Sequence, residues 1–145
     1  MKTTFRIVGI LGGIIGVFVI IFLIIIFSTF PDMCGNRISR TIESPKKGWK
    51  IVVFERDCGA TTDFSTQISI LQANQELRNE AGNIFTADSG HGNAEISKYG
   101  LIYVEPHWLN SRTILIKYDS MATVYEQEDS FNGITIKYEK VKRGT

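Results

Sequence analysis

From Ile7 to Pro31 the chain carries no charged residue, with Lys2 and Arg6 before the run and Asp32 after it. About 20 consecutive apolar residues suffice for a helix to cross the hydrocarbon core of a bilayer. A segment this long and polar on no face would have to be buried all round in a soluble protein. The remaining ~115 residues could hardly enclose it. The run predicts a single transmembrane helix over residues 7–30, with the lipid bilayer as its partner. The organisation expected is a cytoplasmic tail at 1–6, the helix at 7–30, a stalk or linker at 31–47 and an extracytoplasmic domain at 48–145.

Two processed alternatives fit less well. A cleaved signal peptide has an apolar core of roughly 7 to 15 residues and a small-x-small cleavage site. Here the core runs from Ile7 to Phe27, and the first alanine of the chain is Ala60. Lipoprotein processing wants small residues before the modified cysteine, whereas Cys34 follows Pro31-Asp32-Met33. Orientation is only weakly set by charge, because Arg37 and Arg40 on one side offset Lys2 and Arg6 on the other. The short N-terminal tail and the placement of both cysteines beyond the helix favour a cytoplasmic N-terminus in the cell membrane. Gly9, Gly12, Gly13 and Gly16 recur at spacings that let helix backbones approach, a face for self-association, although glycine is common in membrane helices anyway.

The chain has 16 Lys and Arg against 15 Asp and Glu. Without Lys2 and Arg6 the rest is close to −1, so no single-sign field exists to attract nucleic acid. Cys34 and Cys58 are an even pair in a chain expected to be exported, and a disulfide between them would pin the stalk to the loop after the first strand. Two free thiols, or Cys34 engaging a partner, are the other readings. Neither cysteine lies in a C-x-x-C pattern, which argues against redox catalysis.

Beyond the stalk the pattern is that of a mainly β protein. Ser44-Pro45-Lys46-Lys47-Gly48 is a turn signal, and Trp49–Arg56 is rich in β-branched and aromatic residues. Phe64–Leu71 alternates Thr66, Ile68 and Ile70 with Gln67 and Ser69. Short strands are expected at Asn83–Thr86, Gly100–Val104 and Arg112–Tyr118, and a hairpin of Met121–Gln127 with Gly133–Val141 around Glu128–Asn132. Ile114, Ile116 and Tyr118 share one face, as do Ile134, Ile136 and Tyr138. Six or seven short strands without a long amphipathic helix predict a small antiparallel β-sheet or sandwich domain after the membrane helix.

Two stretches carry resemblances. Ser44-Pro45-Lys46-Lys47-Gly48-Trp49-Lys50-Ile51-Val52-Val53-Phe54 resembles the blade opening of TolB-type β-propeller repeats, and Trp108-Leu109-Asn110-Ser111-Arg112-Thr113-Ile114-Leu115-Ile116 is similar to the next part of that repeat. Lysines and Asn110 stand where that repeat has aspartate, and so few units cannot close a propeller. The likeness implies antiparallel hairpins only. Val53-Phe54-Glu55-Arg56-Asp57-Cys58-Gly59-Ala60-Thr61-Thr62, with Ser65–Leu71 and Gly82-Asn83-Ile84-Phe85, resembles a family of small bacterial envelope proteins known only as a domain of unknown function. That resemblance implies an envelope location and no activity.

Candidate sites are sparse. His91 lies in a glycine-rich loop with Asp88, Ser89 and Glu95, but His107 is distant and no metal-ligand spacing occurs. A polar surface loop explains it as well. Cys58 within Asp57–Asp63 lacks the neighbouring base a thiolate nucleophile needs. Glu55, Asp57 and Asp63 are the carboxylates a cell-envelope hydrolase could use, provided two shared a cleft. Trp49, Trp108, Tyr103 and Tyr118 are either an aromatic binding surface or core. No catalytic, cofactor or metal motif emerges. The expectation is a non-enzymatic module binding an envelope protein or cell-wall component, with a membrane-tethered immunity or inhibitor protein as the alternative.

Overall fold

A computed structural model describes residues 2–29, 34–59 and 64–142, with helix side chains described over residues 12–26. The chain divides into two units, Met1–Met33 and Cys34–Thr145.

The first unit is helix α1, Lys2–Thr29. It has no proline and few polar side chains to compete for its backbone hydrogen bonds. The expected membrane-spanning helix is corrected here. Among the described residues no helix is long and apolar enough to cross a membrane. A Cβ added at Gly12, Gly13 or Gly16 would meet nothing within 4 Å. Gly9 lies outside the residues whose side chains are described.

Among the described residues the second unit holds nine strands: β1 (Gly35–Glu43), β2 (Trp49–Asp57), β3 (Ser65–Gln72), β4 (Phe85–Asp88), β5 (Val104–Asn110), β6 (Thr113–Asp119), β7 (Thr123–Gln127), β8 (Ser130–Phe131) and β9 (Ile134–Val141). They form one sheet in the order β1-β2-β3-β4-β7 and another in the order β5-β6-β9-β8. Ile51, Val53, Ile68 and Ile70 from the first sheet and Ile114, Ile116, Ile134 and Ile136 from the second share one apolar core. The alternation expected for the later strands places these side chains inward. Leu115 and Lys117 are left half-buried on the other face of β6.

Residues 35–43, expected as part of a polar stalk, are β1 and pair with β2 from Gly35↔Asp57 to Glu43↔Lys50, with a bulge between Ile38 and Arg40. Edge strands need little apolar surface, which is why so polar a sequence can be one. The Ser44–Gly48 turn joins them: the Ser44 N–H donates to the Trp49 carbonyl at 2.8 Å, and Lys47 takes a positive φ of 54°.

The expected hairpin of residues 121–127 with 133–141 does not form. Strand β7 pairs with β4 instead, and β9 lies parallel to β6, with Ile114 opposite Ile136. The remaining strand pairs are antiparallel. Tyr138 supplies the physical reason. Its ring stacks on Phe85 at 5.9 Å, and its hydroxyl lies within hydrogen-bond reach of the Ile84 and Glu128 carbonyls at 3.0 and 2.9 Å. The Glu128 N–H donates to the same Ile84 carbonyl. The chain leaving β7 is thereby fastened to the start of β4 before it turns into the second sheet. Burial, joined by the negative charges of Asp129 and Glu128, pushes the Tyr138 phenol well above its ordinary pKa, so the hydroxyl stays a donor.

The alternation of Ile68 and Ile70 with Gln67 and Ser69 suits a strand with one solvated face, yet both faces of β3 are covered. Residues 73–84 fold as a strap over the face that holds Val52 and Phe54, which are 2% and 0% exposed. Gly82 donates its N–H to Gln67 Oε1 at 2.6 Å, and Asn83 donates its own to Ser69 Oγ at 3.2 Å. Gln67 and Ser69 stand opposite Phe54 and Val52. A Cβ at position 82 would come within 2.9 Å of the Ile68 carbonyl oxygen, so only glycine allows this approach. Asn36 ties the strap to β1 through the Arg78 and Glu80 carbonyls.

The disulfide between Cys34 and Cys58 is formed, across a sequence separation of 24. It joins the start of β1 to the end of β2. In the chain-entropy picture a loop of this length contributes about 3 kcal/mol. Cys58→Ser is expected to lower unfolding stability by about that amount in urea denaturation, and a reducing agent should have the same effect on the wild-type chain.

Candidate functional site

Strand β1 is a rim of its sheet, and the segment from residue 95 leading into β5 passes beside it. Between them lies a cleft of about 540 Å³. Val53, Leu101, Ile102 and Val104 form its apolar floor, and Ser39, Arg40, Glu95, Ser97, Tyr99, Tyr103 and Glu105 its polar rim. Side chains bridge the two walls. The Arg40 guanidinium donates to the Val104 carbonyl, Arg37 Nη2 to the Tyr99 carbonyl at 2.8 Å, and Trp108 Nε1 to the Ile42 carbonyl at 3.3 Å.

The 95–105 segment is shaped by local bonds. Ser97 Oγ accepts from the Leu101 N–H, and the Ser97 N–H donates to the Leu101 carbonyl at 2.8 Å. Ile96 and Ile102 form an isolated antiparallel bridge. Gly100 turns the chain with φ of 78°, and a Cβ there would overlap the Glu55 carboxylate. That carboxylate, 7% exposed, pairs with Arg37 at 2.7 Å. On the rim, Tyr103 donates to Glu105 Oε2 at 2.6 Å. This bond, above all, holds the Glu105 carboxyl below its ordinary pKa; burial acts against it, and Lys117, His107 and Arg40 add their positive charge.

The residues singled out from sequence are dispersed. Asp88 Oδ1 accepts the Gly90 N–H and its Oδ2 the Tyr125 hydroxyl, each at 2.7 Å. The Ser89 hydroxyl accepts from Gly92. The glycine-rich loop is therefore a tightly bonded turn with His91 exposed on it at positive φ. Glu95 lines the cleft, and His107 lies on β5. Among the described residues no group of three His, Cys, Asp or Glu could hold a metal ion. Cys58 is in the disulfide. Glu55 and Asp57 share a face of β2, but Glu55 is paired with Arg37 and Asp57 accepts the Gly59 N–H at 2.8 Å. Asp63 lies outside the described residues.

Of the aromatic candidates, Tyr118 is 3% exposed in the core against Phe85. Trp49 packs edge-on to Phe131, and Trp108 is partly buried against the core. Tyr103 alone of the four lines the cleft. Arg40, Ser97 and Tyr99 escaped the sequence reading. The one local signal for them was Gly100, whose neighbours a tight turn must bring together. No family model, no curated protein and no solved structure matches the chain.

Two outcomes follow from this geometry. Gly100→Ala forces Glu55 from its niche and strains the backbone, so a loss of about 1–3 kcal/mol is expected in chemical denaturation. Tyr103→Phe removes the main cause of the Glu105 shift, and an NMR titration should find that carboxyl moved up toward 4.5. In the wild-type chain the carboxylate persists as pH falls until its lowered pKa is passed; in the variant it protonates earlier in the descent.

Proposed function

We propose that residues 34–142 form a protein-binding module on the extracytoplasmic side of a bacterial envelope, and that the cleft beside β1 is its contact surface. One observation carries the reading: the cleft sets an apolar floor inside a rim of guanidinium, carboxylate, hydroxyl and aromatic groups. That is the anatomy of a recognition site. Of the carboxylates first suspected of hydrolytic chemistry, Glu55 and Asp57 are committed to bonds within the fold, and Asp63 lies outside the described residues. The Cys34–Cys58 disulfide supports the address, because such bonds persist in oxidising compartments. The apolar side chains of α1, such as Phe18 at 69% exposed, favour a location at the membrane over free solution.

A photo-crosslinking amino acid in place of Tyr99, in the full-length chain within intact envelopes, is expected to capture one discrete protein. The same probe in place of Lys137, on the exposed face of β9, should not capture it. Equal capture from both positions, or capture of glycan only, would overturn the reading.

A further inference from the structure

The middle of the 73–84 strap hangs from the mouth of the β1–β2 ladder. Asn36 Nδ2 donates to the Arg78 and Glu80 carbonyls at 3.0 and 2.7 Å, and Asn79 Nδ2 donates to the Cys34 carbonyl at 2.7 Å. Arg56 Nη1 donates to Asn36 Oδ1 at 2.7 Å and to Asn79 Oδ1 at 3.3 Å. These ties reach the sheet at residues 34, 36 and 56, each within two positions of a bridged cysteine. The Cys34–Cys58 bond itself lies on the rung after Gly35↔Asp57.

Apart from that bond, the start of β1 is held lightly. Residues 35–38 bury no apolar side chain, and Ile38 is exposed. Arg37 pairs with Glu55, but its side chain is mostly in water, which screens the pair. The bulge between Ile38 and Arg40 separates this stretch from the rest of the ladder. Beyond it, Ile42 packs on the core and its carbonyl accepts from Trp108 Nε1. The strap is as thin: along 73–81 Leu77 is half-buried and the other residues are exposed. Segments with so few buried contacts are the ones that open locally. A covalent bond at the mouth of the ladder opposes that opening.

We infer that the Cys34–Cys58 bond is a redox-sensitive latch. Its reduction by a dithiol protein releases residues 34–38 and with them the middle of the strap, loosening the cover over Val52 and Phe54 while the shared core stays folded. Both cysteines are half-buried, which leaves the bond within reach of a thiolate. One thiolate of the reductant attacks a sulfur of the bond and displaces the other as a thiolate; the second thiol of the reductant then resolves the mixed disulfide. Two electrons and two protons pass to Cys34 and Cys58, and the reductant leaves as a disulfide. A protein disulfide acting in the reverse direction closes the latch.

Limited trypsin digestion of the full-length chain tests this, with the bond intact and after dithiothreitol followed by thiol capping. Arg78, whose carbonyl Asn36 holds, reports on the strap, and Arg37 on the start of β1. Cleavage at both is expected to quicken about tenfold or more on reduction. Lys117 on β6 and Lys137 on β9 should stay uncut over the same time. Asn36→Ala combined with Asn79→Ala cuts ties to the strap without touching the bond. In that variant Arg78 should be cut fast while the bond is intact, and reduction should then quicken cleavage at Arg37 alone. Should the variant fail to fold, the wild-type comparison decides alone. Slow cleavage at Arg78 in the reduced wild-type chain or in the oxidised variant would overturn the inference. So would cleavage at Lys117 and Lys137 keeping pace with Arg78, or a bond that dithiothreitol reduces only once the chain is unfolded.

Discussion

Strand β2 presents apolar side chains on both of its faces, and each face has to be covered. Ile51 and Val53 meet the second sheet in the shared core, while Val52 and Phe54 point the other way and are just as dry. A sandwich strand of the ordinary kind would leave that second face to water. Burying a side chain the size of phenylalanine contributes about 1.5–3 kcal/mol relative to exposure. This is enough to justify ordering the strap of residues 73–84 above it. The strap in turn needs its own polar groups satisfied, and Asn36, Gln67, Ser69 and Asn83 do so.

The same demand shapes the cleft. Because β2 lies second in its sheet, β1 flanks it as the rim. The disulfide, the Asn36 bonds and the bridge from Asn79 to the Cys34 carbonyl hold the start of β1 in register. Arg37, Arg40 and Trp108 then reach across between β1 and the residues approaching β5 with side chains alone. A gap spanned in this way keeps its volume, since no backbone ladder draws the walls together. Glu55 and Gly100 set the depth of one end, where the carboxylate occupies the space a Cβ would take.

Much of the β domain could be read from the order of residues. The alternation in Thr113–Asp119 and Ile134–Val141 gave the inward faces correctly, because a strand's period of two needs no knowledge of its partner. Partnership itself was not legible. Residues 121–127 and 133–141 look like the two arms of a hairpin, and only the contacts of Tyr138 with Phe85, Ile84 and Glu128 separate them into different sheets. Residues 35–43 were hidden for the opposite reason, being too polar to announce a strand. The length of the apolar N-terminal run suggested a membrane crossing, whereas among the described residues no helix is long and apolar enough to make one. The cleft was almost wholly invisible, since its rim draws on Ser39 and Arg40 from one sheet and on residues 95–105, some sixty positions later.

By itself the sequence determined what local physics can decide: a helical apolar run, strand-forming alternation, the turn at Ser44–Gly48 and the availability of two cysteines. Which strands are neighbours, that β6 and β9 run parallel, that a strap covers Phe54, and that Arg40, Tyr99 and Glu105 border one cleft were decided by tertiary structure. These are contacts between residues far apart in the chain. They are selected by the total surface buried and the hydrogen bonds completed at once, and no short window of sequence contains that sum.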